Sequence, residues 1–515
     1  MKNKVRTVSA IDVGSFNIRM VVAEISEKGE IRILEELRQH TNIGKDTFAD
    51  GKVSVDTIHE ACNILKKFAR VMKEYGVKHY RAVTTSGIRE ANNKVYIIEQ
   101  IRMRTGLNID IINSSEERFL TFKAIRSTLQ DVKKVREEGV LIVNIGSGGV
   151  EFSAFKGGNL RFTSYIKVGS LRLREVLSDL ERVTLDFPMI MEGFIVSKTY
   201  LIESVIRDMD IKNFIGLGGG LGYILNICNS DKTKLEQKII DKEALDKLYS
   251  DIVKKSIDQI AHNYKLDYLE AQTVLPASII FRRFLNITHA DHIYAPMVSL
   301  RHGVLSEMVD EWFDTPRKKD FFNDIINSVK FIGKKYDYDE VHANHVLFLA
   351  MRIFDQLSKI HKLGARERLY LQVASLLHDV GKFINLDEHN VYTYHIIKAQ
   401  NIMGFSNREL DIIANIARYH DEEDPESFHE NYNTLDYADQ IKISKLSAIL
   451  KLADALDITH MQKIKDVEIS YNKNEIFFTI SVNDDILLEK WVFMKNAVFF
   501  EEVIGMKVLI KHKGW

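Results

Sequence analysis

Apolar positions alternate or run in short blocks through the first part of the chain, then change period. From Arg6 to about Thr41, three strand-like runs broken at Gly14 and Gly29 predict a meander. Between Ser54 and Tyr75 the spacing lengthens. There Ile58, Cys62, Leu65, Phe68, Ala69 and Met72 share one face of a helix. Tyr80–Thr85 reads as a strand handing over to a helix at Ser86, and Leu107–Ile112 as a further strand. Ser114-Ser115-Glu116-Glu117 then opens a helix with carboxylates in its first turn, where the backbone dipole favours them. The sequence repeats the design from Leu141, with paired strands, a turn at Lys156-Gly157-Gly158-Asn159, a strand from Leu160 to Val168, and another from Asn213. Strands followed by helices, twice over, predict an α/β double lobe enclosing a cleft. Beyond about Thr315 strand signals vanish, with a boundary near Pro316-Arg317-Lys318-Lys319. Asn327 to roughly Thr459 reads as successive amphipathic helices, and alternation returns at Glu475–Val482. The expected segments are lobes 1–126 and 127–310, a helical domain 311–462 and a small α+β tail 463–515.

The turns between paired strands carry the first chemical signal. Leu141–Asn144 closes on Gly146-Ser147-Gly148-Gly149 before a second strand, Val150–Phe155. Near the start, Asp12-Val13-Gly14-Ser15 turns through Asn17 into Ile18–Ile25. Turns without bulky side chains let backbone N–H groups approach an anion closely, so both read as phosphate cradles. Two copies of one device indicate an internal duplication. A third glycine turn, Gly216–Gly220, contributes Gly218 and Gly219.

Composition narrows the partners. In 515 residues, 71 Lys and Arg oppose 72 Asp and Glu for a net charge of −1, so no nucleic-acid or membrane partner is expected from charge, and an anionic ligand needs a local basic patch. Two cysteines in apolar segments, Cys62 and Cys228, and the lack of a signal peptide or an apolar run of membrane-spanning length make a reducing cytoplasm the expected compartment.

The ordered set Asp12–Ser15, Thr84-Thr85-Ser86-Gly87-Ile88-Arg89-Glu90-Ala91-Asn92, Glu116-Glu117, Asn144–Glu151, Gly216–Gly220 and Leu300-Arg301-His302-Gly303-Val304-Leu305 resembles the exopolyphosphatase / guanosine pentaphosphate phosphohydrolase (Ppx/GppA) family. The resemblance implies the actin-like, hexokinase-like ATPase fold. It also implies release of terminal phosphate from polyphosphate or guanosine pentaphosphate, a homodimer, and Mg²⁺ beside Asp12 and Glu151. Carried over position by position, Glu117 is the water-activating residue and Arg89 a phosphate contact. Such roles suit the reaction, because phosphoanhydride hydrolysis asks the protein chiefly for cationic clamps and an oriented water. The sequence departs from the family's Asp-x-Gly-Gly-Gly-Ser-Thr-Glu at Asn144-Ile145-Gly146-Ser147-Gly148-Gly149-Val150-Glu151, and it places Phe16 and Phe119 where a polar residue and an arginine are usual. Asn144 brings no negative charge to a metal. A regulator that binds polyphosphate or (p)ppGpp without efficient turnover is therefore the competing expectation.

His342, His378-Asp379 and Asp454 resemble the metal-binding signature of HD-type phosphohydrolases, carried here by the helical domain. Imidazole and carboxylate ligands from separate helices suit Mn²⁺, Fe²⁺ or another divalent transition ion. His395 and His420 are the expected ligands of a possible second metal, while His389, His345, His361 and His460 read as structural. A hydrolytic site in this domain is the third expectation.

Overall fold

The computed structural model describes residues 5–126, 128, 135, 137–157, 159–181, 183–184, 186–229, 232–313, 316–400, 402–480 and 485–512. It comprises two compact units, one ending at Phe322 and one beginning at Asn323. Gly158 of the predicted turn and Ser481-Val482 of the predicted last strand lie outside the described residues.

In the first unit, β1 (Arg6–Val13), β2 (Asn17–Ile25) and β3 (Ile31–His40) form the predicted meander, and β4 (His79–Thr84) and β5 (Asp110–Ile111) extend it in the order β3-β2-β1-β4-β5. The second sheet holds β6 (Val140–Ile145), β7 (Val150–Lys156), β8 (Asn159–Ile166), β9 (Asn213–Gly218), β10 (Ile239–Asp241) and β11 (His292–Tyr294), ordered β10-β11-β9-β6-β7-β8. Read from the meander inward, β8-β7-β6-β9-β11 matches β3-β2-β1-β4-β5 position for position. Both central strands pair antiparallel on one side and parallel on the other. The duplicated turns are thus structurally equivalent, one at the end of β1 and one at the end of β6.

Helices cover the sheets. α1 (Val55–Glu74) buries Ile58, Cys62, Leu65, Phe68 and Met72 in the first lobe's core, as its spacing predicts. α2 (Ser86–Arg89) follows β4, and α3 (Ser114–Arg126) follows β5. α4 (Leu300–Trp312) comes after the second sheet in sequence yet packs into the first: Leu300, Val304, Leu305 and Met308 share a core with Val8, Ala10, Val21 and Leu120. The chain therefore returns to its first lobe before leaving the unit.

The second unit packs α5 (Glu340–Gln356), α6 (Ala365–Leu377), α7 (His389–Ala399), α8 (Asn407–Arg418) and α9 (Tyr437–Ala455) around one buried centre. A sheet of β12 (Val467–Tyr471), β13 (Glu475–Ile480) and β14 (Lys507–His512) follows, with α10 (Leu487–Ile504) between its last two strands. Among the described residues no helix is long and apolar enough to cross a membrane.

Candidate functional site

The equivalent turns face a cavity of about 690 Å³ in the first unit. Every residue predicted for the cleft lines it except Gly148 and Arg89, which stand immediately behind the lining. The floor is close-packed. Ser15 Oγ meets Ser86 Oγ at 3.2 Å, and a Cβ on Gly148 would lie 2.4 Å from that same Ser86 oxygen, so only glycine lets the second turn approach. Arg172 fixes it there by donating to Gly148 O at 2.5 Å while pairing with Glu90 at 2.9 Å.

The two adjacent glutamates have separate surroundings. Asn113 Oδ1 accepts from Glu116 N at 2.8 Å at the start of α3. Glu116 then turns to Arg81, 2.8 Å away, which also holds Glu307 of α4. Glu117 turns instead into the cleft, with its carboxylate 3.1 Å from Arg89 Nη1, and Arg89 also donates to Ile112 O at 2.8 Å. It is half-buried rather than a solvated helix-start acid.

Across β6 and β7, Asn144 and Glu151 are register partners, and Asn144 Nδ2 donates to Glu151 Oε2 at 3.1 Å. Glu151 is 4% exposed, and its other oxygen has no hydrogen-bond partner among the described residues. Burial and the neighbouring Glu117 charge push the Glu151 carboxyl up to about 8, against the pull of Arg118 and the Asn144 amide. Burial likewise raises Glu117, opposed by Arg89, and raises Asp12, opposed by Arg19 and Arg301. Carboxyls raised by burial, Glu151 also by the Glu117 charge and with one oxygen lacking a hydrogen-bond partner among the described residues, are the donor set that a divalent cation would satisfy. Among the described residues, however, no three carboxylates or imidazoles converge in the cleft as they do in the second unit. Asp12 and Glu151 therefore fit an ion that takes its remaining ligands from water and from a bound phosphate, as Mg²⁺ commonly does.

Sequence reasoning missed the basic residues of the lining, Arg19 and Arg301, and the buried Arg118 near its carboxylates. Arg19 faces Asp12 across the first hairpin, Arg301 donates to Met20 O at 2.9 Å, and Arg118 interacts electrostatically with Glu151 and Glu117. Phe119, at the position where an arginine was expected, points away to pack edge-on against Phe321 at 5.6 Å, so the arginine beside it supplies the charge. Arg301 was visible inside a motif, but nothing in its spacing disclosed the cleft.

In the second unit, His342 on α5, His378 and Asp379 after α6, and Asp454 on α9 converge. Asp454 Oδ1 lies 3.1 Å from His342 Nε2 and 3.4 Å from His378 Nε2. Asp379 Oδ2 lies 3.8 and 3.6 Å from the same two nitrogens. The expected second pair differs in one member. His420 is 2% exposed and 3.4 Å from Asp379 Oδ1, but its companion is His389, 3.2 Å away. His395 is exposed, its ring against Tyr394, on the other side of α7. His361 is satisfied by Phe354 O at 2.8 Å, and His460 stacks on His342 at 3.6 Å.

A family model described as the Ppx/GppA phosphatase family matches residues 21–312, and one described as Ppx/GppA phosphatase, domain III, matches residues 326–496. A guanosine-5'-triphosphate,3'-diphosphate pyrophosphatase of Pseudoalteromonas translucida is 20% identical over 501 residues, covering 95% of this chain and 92% of its own length. The protein of the same description from Vibrio atlanticus is 20% identical over 426 residues, 81% of this chain and 80% of its own. Among solved structures, an exopolyphosphatase from Cytophaga hutchinsonii superposes with a TM-score of 0.53 at 20% identity, covering 59% of this chain and 98% of that one. The likeness shows the fold of the part it covers, an actin-like double lobe.

Proposed function

The chain belongs to the Ppx/GppA phosphatase family, and we propose from that premise that its cleft releases terminal phosphate from inorganic polyphosphate or guanosine pentaphosphate. The observation that carries the reading is Glu117: it turns into a cavity bordered by two phosphate-cradle turns, with Arg89 on its carboxylate and two further buried carboxyls nearby. Terminal phosphoryl oxygens would lie against Gly146–Gly149 and Gly14-Ser15, with Arg89, Arg118 and Arg301 offsetting their charge. A carboxyl raised by burial accepts a proton nearer neutral pH, so Glu117 suits the removal of one from the attacking water. The water oxygen bonds to the terminal phosphorus, the bridging P–O bond breaks, and the shortened polyphosphate leaves. Mg²⁺ on Asp12 and Glu151, when bound, supplies neutralisation of phosphate charge. The relatives named as pyrophosphatase and exopolyphosphatase support both substrate classes.

The amide at Asn144 favours a second reading, a binding protein with weak turnover, because it replaces a metal-side charge with a hydrogen bond to Glu151. Phosphate release from both substrates with Mg²⁺ separates the two. Glu117→Gln is expected to lower the rate by about 10²–10⁴ while leaving polyphosphate affinity within a few fold. Wild-type turnover no faster than that of Glu117→Gln, with tight binding intact, would establish the binding reading instead. Under that reading, Asn144→Asp raises the rate.

A further inference from the structure

Given the cleft as a phosphoryl site, a reading on which this step rests, we propose that Tyr165 is a substrate-binding residue. Its hydroxyl donates to a bound phosphoryl oxygen, in place of a side-chain hydroxyl that the second glycine turn lacks at Gly149. Tyr165 stands in a row of three. Asn144 on β6 is the register partner of Glu151 on β7, and Glu151 is that of Tyr165 on β8. Directly paired residues of antiparallel strands project from the same face of a sheet, so the three side chains lie side by side, and all three line the cavity.

Gly149 marks where the ring goes. Its backbone is not in the left-handed region, so nothing in its conformation calls for glycine. Space does. A Cβ at that position would lie 2.4 Å from Cε2, Cζ and Oη of Tyr165. The tip of the ring therefore occupies the volume that a side chain on the turn would fill, and the Ppx/GppA pattern has a serine at this position. The chain exchanges a hydroxyl carried by the turn for one that reaches over it. Just beyond β8, Ser170 N donates to Gly146 O and Leu171 N to Ser147 O, each at 3.1 Å, which stitches the strand bearing Tyr165 to the same turn.

The hydroxyl is buried and has no hydrogen-bond partner among the described residues. An O–H withdrawn from water without an acceptor costs free energy until something supplies one. Burial, with the charges of Glu117 and Glu90, pushes the phenol further up, against the pull of Arg89 and Arg172. It stays protonated and is a donor wherever the cleft operates. An anionic oxygen drawn in by the neighbouring arginines is the acceptor that suits it.

Kinetics and binding on the full chain with Mg²⁺ test the assignment, using inorganic polyphosphate or guanosine pentaphosphate, whichever wild type binds more tightly. Tyr165→Phe keeps the ring and removes only the oxygen. It should lower kcat/KM about tenfold or more and raise Kd by a similar factor. Thermal melts should show no loss of stability, because no hydrogen bond among the described residues is broken. Gly149→Ser alone should also lower kcat/KM, since the introduced hydroxyl enters the volume of the ring. Tyr165→Ala should lose at least as much as Tyr165→Phe, and adding Gly149→Ser to it should bring kcat/KM back to within a few fold of wild type. A tyrosine that merely packs would give no such rescue. Wild-type kcat/KM and Kd in Tyr165→Phe, or a double variant no better than Tyr165→Ala, overturns the assignment and leaves hydrolysis in the cleft standing. Tight binding without turnover in wild type, still weakened by Tyr165→Phe, overturns the hydrolytic reading and keeps Tyr165 as the donor. A wild type that binds neither compound overturns both.

Discussion

Glu151 shows at the scale of one side chain what the cleft does to charge. Its folded-state value of about 8 stands above the ordinary 4.5, so between those pH values the folded protein binds a proton that the unfolded chain does not. Stability from this source is complete below about pH 4.5 and is lost as pH rises through about 8. The slope is at most roughly 1.4 kcal/mol per pH unit. Glu151→Gln carries the neutral form permanently, so in chelator its melting temperature should pull ahead of wild type as the buffer moves from pH 5 to pH 8. A constant gap across that range would show that Glu151 ionises freely in the fold. Mg²⁺ with substrate should narrow the difference by satisfying the charge in wild type alone. The same scale shows where sequence reading stopped. Glu117, Asn144 and Glu151 were legible because a strand, a turn or a helix start fixes their position. Arg118 was not, because a helix buries residues by tertiary contact, and adjacent Arg118 and Phe119 gave no sign of which would face the carboxylates.

Elements are placed by close approaches that periodicity does not encode. α3 carries Glu117 and α4 carries Arg301, and the two cross where a Cβ on Gly303 would lie 1.9 Å from Leu120 O. Backbone cannot yield there as a side chain would. Around the crossing, Lys123 and Asp310 form a buried pair at 2.8 Å, and Arg81 ties Glu116 to Glu307. Gly303→Ala should therefore separate the helices, costing about 1–3 kcal/mol. It should also lower phosphate release beyond what the lost stability explains at 25 °C, because Glu117 and Arg301 move together. Thermal melts and rates on the same samples measure both, and unchanged turnover would detach the crossing from the site. The sequence announced the Leu300–Leu305 stretch as a motif, but neither its helix nor its return to the first sheet. It also overstated β5: Leu107 and Ile109 turn into the lobe's core, and only Asp110 and Ile111 pair with β4. In α7, His389 and His395 are six residues apart, about 600° of helical turn, and cannot face one centre. The choice falls to Gly381, whose Cβ would sit 1.9 Å from His389 O and which lets the Asp379 segment close onto the helix start.

The whole chain joins two compact units, each with its own buried core and its own cluster of titratable side chains. A net charge of −1 conceals this, because the first unit gathers arginines around carboxyls and the second gathers imidazoles around one aspartate. Cores that close within each unit predict two calorimetric transitions in the metal-free chain. An ion that binds only the folded form stabilises its own unit by about 2.7 kcal/mol at a hundredfold excess over Kd, which for a unit of this size is roughly 5–11 °C. Mn²⁺ should raise the transition of the unit from Asn323 onward by that amount, and His389→Ala should remove most of the shift. Polyphosphate with Mg²⁺ should raise the other transition, and should do so equally in Glu117→Gln, since that change removes a proton acceptor and leaves the cradles and arginines in place. Should Glu117→Gln lose the polyphosphate shift along with turnover, Glu117 would be a binding residue, and the attacking water would have to be activated elsewhere in the cleft. One scan series thus separates ligand capture from chemistry in the first unit while reading metal occupancy in the second.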